Sequence, residues 1–175
     1  MKEERPIMSP PLRIISMINI GMLVCLMSTV SPAAMGQEES LRGLDGLSVE
    51  IEIITELLAD GLVKKQIQSD VTTQLKNADI KVYSQKELNA IAGRPSLFIE
   101  ISGKRIQDNW KFYTYSITVH LYQEVYLARE PQSIAYQAAT WYKSYTGHGY
   151  LDDIRVRVKE IISVFVNTYL SVNSN

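Results

Sequence analysis

From Leu47 to Ile54 the chain alternates, with Val49, Ile51 and Ile53 on one side and Ser48, Glu50 and Glu52 on the other. That period of two predicts a half-buried strand. The Asp60-Gly61 pair in "TELLADG" then signals a turn. From Val63 the apolar period lengthens to four, through Ile67, Val71 and Leu75, with Lys64, Lys65, Gln68, Asp70 and Gln74 on the other side. This is an amphipathic helix. "IKVYS" (Ile80 to Ser84) reads as a short strand, and "QKELNAIAG" as a short helix stopped by Gly93. A right-handed crossover makes the first two strands parallel neighbours or near neighbours.

After Pro95 the period of two returns. In "SLFIEIS" Leu97, Ile99 and Ile101 share a face, and "SGKR" after it reads as a turn. The longest alternating run is "FYTYSITVHLYQEVYLA". Tyr113, Tyr115, Ile117, Val119, Leu121, Val125 and Leu127 make a core face. Phe112, Thr114, Ser116, Thr118, His120 and Tyr122 make a polar and aromatic one, which suits a sheet surface open to solvent. A turn at "REPQS" leads to a strand from Ile134 to Tyr145, and the three strands form an antiparallel meander. The last element is a helix from Leu151 to Leu170, with Ile154, Val158, Ile161, Ile162, Phe165 and Tyr169 as its apolar stripe. The expected fold is α+β: a mixed sheet of about five strands with the long helices on one face.

The amino terminus has a different composition. Lys2, Arg5 and Arg13 precede the uncharged run Ile14 to Val30, and Ala34 and Gly36 are small residues before Gln37. This is the layout of a secretory signal peptide cut after Gly36, with an uncleaved membrane anchor as the alternative. Residues 1–36 are read as that signal, residues 37–46 as a flexible leader, and residues 47–175 as a single domain. Cys25 follows the bulky Met22, Leu23 and Val24 in mid-run, which is not the setting of a lipoprotein cysteine. The exported remainder then has no cysteine, and so no disulfide, thiolate nucleophile or cysteine-bound zinc. The expected location is periplasmic or secreted, with the membrane met only through the signal. That remainder carries 15 Lys and Arg against 17 Asp and Glu, well interspersed. The balance argues against nucleic acid as a partner.

Candidate chemistry is sparse. "TGHGYLDD" sets His148 between Gly147 and Gly149, ahead of Asp152 and Asp153. With His120 these residues are the set from which a metal-dependent hydrolase would have to be built. Two glycines in a strand-to-helix turn and two carboxylates at a helix start account for them structurally, and no metal or other cofactor is expected. There is no G-x-S-x-G, phosphate loop or dinucleotide fingerprint. Glu50, Glu52, Glu100 and Glu124 fall on solvated strand positions. What stands out is aromatic density, with eleven aromatic residues between Trp110 and Tyr150. Those off the core parity, with their polar neighbours, are the candidate binding face: Phe112, Thr114, His120, Tyr122 and Tyr126. Tyrosine suits such a surface because it is rigid and amphipathic.

The element order, the "VEIEI" opening, the "TW" late in the meander and the "VFVNTYLSVN" ending resemble small envelope domains of Gram-negative bacteria. The resemblance, over about residues 47–170, is to the amino-terminal domain of the Tol-system propeller protein and to periplasmic accessory proteins of transport and polysaccharide export. It implies a non-enzymatic protein-interaction module docking on an envelope protein partner. The same aromatic face as a platform for a small ligand or glycan is the alternative expectation.

Overall fold

The structure, a computed structural model, describes residues 32–54 and 56–174. The expected signal run lies outside them, apart from its end. Helix α1 (Pro32–Glu39) runs through the expected cleavage point. It is followed by β1 (Gly46–Ile54), a one-turn α2 (Glu56–Ala59), α3 (Lys64–Asn77) and β2 (Lys81–Val82). Then come the one-turn α4 (Gln85–Leu88), β3 (Ser96–Arg105), β4 (Tyr113–Leu127), β5 (Glu130–Gly149) and α5 (Leu151–Asn173). Among the described residues no helix is long and apolar enough to cross a membrane.

The five strands form one sheet in the order β2-β1-β3-β4-β5. β1 is parallel to both β2 and β3, and β3, β4 and β5 are antiparallel neighbours. The fold is therefore α+β with a mixed sheet, as the alternating patterns predict. Odd-numbered residues of β4 from Tyr113 to Leu121 are buried, and they meet Ile154, Val158, Ile162 and Phe165 of α5 and Ile67, Val71 and Leu75 of α3. Trp141 stands edge-on to Phe165, ring centres 5.1 Å apart. α4 departs from this arrangement. Its Leu88 is buried outside the main core, and Gln85 donates to Glu50 (3.0 Å) on the opposite face of β1.

The expected flexible leader is a correction. Residues 37–46 finish α1, turn, and enter β1, and Leu41 is 0% exposed in the core with Leu44 beside it. Asn173 clamps the segment, donating to the Leu41 carbonyl and accepting from the Gly43 N–H, while Tyr169 donates to the Leu44 carbonyl. Two leucines three residues apart outweigh the polar composition and two glycines that suggested looseness.

"SGKR" is the end of β3 rather than a turn. Gly103 is small because a Cβ there would sit 3.1–3.2 Å from the Thr114 carbonyl and the Leu57 side chain. The glycine–histidine segment is also strand, since β5 continues to Gly149. Its glycines serve close approach rather than a bend. A Cβ on Gly147 would lie 2.6 Å from the Tyr145 ring, and one on Gly149 2.7 Å from the Asp153 carboxylate. The β4–β5 turn falls at Ala128-Arg129, so Pro131 lies inside β5, which an edge strand tolerates.

Register shifts near Leu121 and Gln123 end the regular pairing, and β3 pairs with β4 only as far as Tyr122. Beyond that point the β4–β5 hairpin projects as an arm. Val125 and Leu127, expected in the core, are half-buried on this arm.

Candidate functional site

The face of the sheet opposite α3 and α5 is built from the even-numbered residues of β3 and β4. Cross-strand pairing sets Phe98 beside His120 and His120 beside Tyr142. The His120 ring stacks on Tyr122, with centres 5.3 Å apart and planes 11° off parallel, and faces Tyr142 at 6.3 Å. Phe98 lies 6.0 Å from Tyr122. Four rings from three strands thus form a continuous aromatic strip. The Nδ1 atom of His120 is buried in it without a hydrogen-bond partner among the described residues.

At the end of this strip the face becomes concave. A groove of about 680 Å3 has Ser96, Phe98 and Tyr122 as its floor. Gln85, Leu88 and Asn89, in and just after α4, form one wall, and Tyr136 and Gln137 on the arm contribute to another. α4 is held upright by a capping box in which Ser84 and Glu87 satisfy each other's backbone N–H groups. Arg94 and Glu124 span the rim as an ion pair at 3.3 Å. Arg94 (φ 41°) and Gln137 (φ 53°) both have left-handed backbones, as does the adjacent Gly93 (φ 75°). For residues with a Cβ this conformation is costly.

Of the residues expected on the binding face, the structure brings together His120 and Tyr122. Thr114 is on the same face, six positions along β4 from His120, or roughly 20 Å. Phe112 precedes β4 and packs edge-on against Tyr150, ring centres 5.1 Å apart. Tyr126 projects from the arm, 70% exposed. The sequence pattern alone does not single out Phe98, Tyr136 or Tyr142. Phe98 does carry one signal, as an aromatic residue on the solvated parity of an otherwise aliphatic strand.

The residues considered for a metal do not converge. His148 pairs with Thr114 at the far end of the face from His120. Asp153 is engaged at the start of α5, where it accepts the Tyr150 N–H at 2.8 Å. No group of three or more His, Cys, Asp and Glu placed to hold a metal occurs among the described residues.

The strongest electrostatic cluster is elsewhere. Asp60, with a side chain only 6% exposed, receives both Arg105 and the Tyr113 hydroxyl (2.6 Å). The hydrogen bond from Arg105, and then that from Tyr113, hold its carboxyl down at about 2. The group ties the loop after α2 to the start of β4. Every ionic partner in it is satisfied, which marks it as a structural clamp.

The edge beside the aromatic strip is partly guarded. β5 is the last strand of the sheet. The Thr140 carbonyl accepts from Ser40, and the Tyr142 N–H donates to the Gln37 side chain. The outward groups of Ser144, Thr146 and His148, on the same alternation as Tyr142, face no further strand among the described residues.

Compared with models of known protein families and with curated proteins, the chain matches neither a family model nor a curated sequence.

Proposed function

We propose that the chain is an exported, non-enzymatic accessory module of the cell envelope that docks a protein partner by strand addition at β5. One observation carries the reading: a 20-residue edge strand, open over Ser144 to His148, borders an uncovered sheet face. Proteins ordinarily blunt such edges, because unpaired N–H and C=O groups invite another strand. Among the described residues, α1 and Ser40 after it guard only the stretch around Thr140 and Tyr142. An extended segment laid along β5 gains main-chain hydrogen bonds, and its alternate side chains fall beside Tyr142, Ser144 and Thr146. Export to the periplasm rests on the basic, apolar and small-residue layout of residues 1–36. The resemblance to envelope docking domains points the same way.

Thr146→Pro tests this reading. Proline removes the outward N–H and leaves the inward ladder through Tyr145 and Gly147 intact, so the fold should survive. A crosslinkable residue at position 144, introduced in the producing cell, should capture a stoichiometric partner in the parent chain and lose it with Thr146→Pro. Equal capture by both chains, with equal melting temperatures, would sink strand addition at this edge.

A further inference from the structure

We propose that the groove between α4 and the hairpin arm is a second site, distinct from the β5 edge, and that it takes a neutral saccharide chain. Its volume of about 680 Å3 lies in the ~300–1,000 Å3 range of small-ligand sites. The class of ligand follows from the lining. Phe98 and Tyr122 form an aromatic floor and Tyr136, 68% exposed, presents a third ring. A sugar ring offers C–H faces to such surfaces and a rim of hydroxyls to whatever surrounds them. The surrounding polar groups include three amides, from Gln85, Asn89 and Gln137. A side-chain amide both donates and accepts, as a hydroxyl does, so the two can pair in either sense.

The charges point away from an anionic ligand. Arg94 and Glu124 neutralise each other across the rim, and Glu50 already receives the Gln85 amide. Among the described lining residues no lone cation is left to hold a phosphate or carboxylate, and an anion would meet Glu50. A neutral ligand needs neither, and can exchange hydrogen bonds with every wall.

The backbone supplies an independent observation. Three non-glycine residues have a left-handed φ among the described residues, and two of them, Arg94 and Gln137, line this groove. They come from separate segments, the loop before β3 and the β5 side of the arm. Strain of this kind clusters at ligand-binding and active sites. Here it sets one charged and one amide group at the rim.

The test is calorimetric titration of the protein, in the form recovered from expressing cells, with three neutral probes: cellohexaose, chitohexaose and maltohexaose. At least one should bind with a Kd below about 1 mM. Tyr136→Ala should weaken that binding at least ~10-fold, equivalent to about 1.4 kcal/mol. Because Tyr136 is exposed, its melting temperature should not move, and Thr114→Ala at the far end of the face should bind as the parent does. Absence of binding by all three probes at ~10 mM overturns the proposal, 1 mM being the weakest affinity it allows. So does binding that Tyr136→Ala and Gln137→Gly leave unchanged. A crosslinker at position 137 that captures a protein, with no saccharide bound, assigns the groove to that protein instead. The strand-addition reading is tested at Thr146 and stands or falls separately.

Discussion

The two faces of the sheet are built from alternate residues of the same strands, yet they do different work. On β4, Tyr113, Tyr115, Ile117, Val119 and Leu121 are all buried beneath helices. Their neighbours Thr114, Ser116, Thr118, His120 and Tyr122 are partly open, and carry hydroxyls and rings rather than aliphatic groups. The covered face holds the fold by removing apolar surface from water. The open face spends little of its surface that way and keeps its rings and polar groups available. The comparison teaches that stability and binding should be separable in this molecule by residue parity alone.

The largest effect should come from the covered face. Phe165→Ala removes a 0% exposed ring packed edge-on against Trp141, and should cost about 3–5 kcal/mol in urea unfolding. Tyr142→Ala, on the open face beside the same strand's Trp141, should cost less than about 1 kcal/mol. Similar losses for the two would break the division between faces. Leu41→Ala comes next, at about 2–5 kcal/mol, because the turn after α1 is part of the covered core. A loss below 0.5 kcal/mol there, the ordinary range of a surface change, would return the segment to the status of a leader.

Gly149→Ala is a middle case. The added methyl would press on the Asp153 carboxylate and Cβ at 2.7–2.8 Å, so the first turn of α5 must shift. Overpacking of this sort costs about 1–3 kcal/mol. A neutral result would mean that the Asp153 side chain moves aside and the close approach does not require glycine.

These positions also show what is legible in the sequence. Parity is: alternation assigns the odd residues of β4 to the core, and those from Tyr113 to Leu121 are there. Parity is local, set by a backbone that turns each side chain to the opposite side. What joins distant segments was not legible. The groove takes Gln85, Phe98 and Tyr136 from three places along the chain, and only the order β1-β3-β4-β5 brings them together. The bulge near Leu121, which takes Val125 and Leu127 out of the core, leaves no mark in the alternation before it. Glycine was ambiguous in kind. Gly147 and Gly149 suggest a bend when read alone, and become close-approach positions only once Tyr145 and Asp153 are placed over them.

The clamp at the end of the covered face sharpens the comparison through pH. The Asp60 pKa falls from an ordinary 3.8 to about 2 in the folded chain. Between those values the unfolded chain binds the proton and the folded chain does not, so stability rises with pH. The contribution is complete above the unfolded value and is lost as the pH falls toward 2. Asp60→Asn should therefore flatten the stability curve between about pH 4 and pH 2. It should not abolish the slope, since Asp70 is also held low by Arg155. Identical curves for parent and variant would mean that Arg105 and Tyr113 do not hold the carboxylate in solution.

The smallest effect belongs to the open face, and its sign is the informative part. His120 is sandwiched between Tyr122 and Tyr142 with its Nδ1 buried and unpartnered. A buried polar atom without a partner costs free energy, whereas an apolar ring of similar shape does not. His120→Phe keeps the stack and removes the orphan, so stability should hold or rise by up to about 1 kcal/mol. If instead the substitution destabilises by more than that, Nδ1 has a partner in solution, and the strip is less open than its geometry indicates. If stability holds while partner capture at position 144 falls, the histidine is kept for recognition rather than for the fold. That outcome would set the two faces apart at one residue, between neighbours Val119 and Leu121 that do nothing but hold the core.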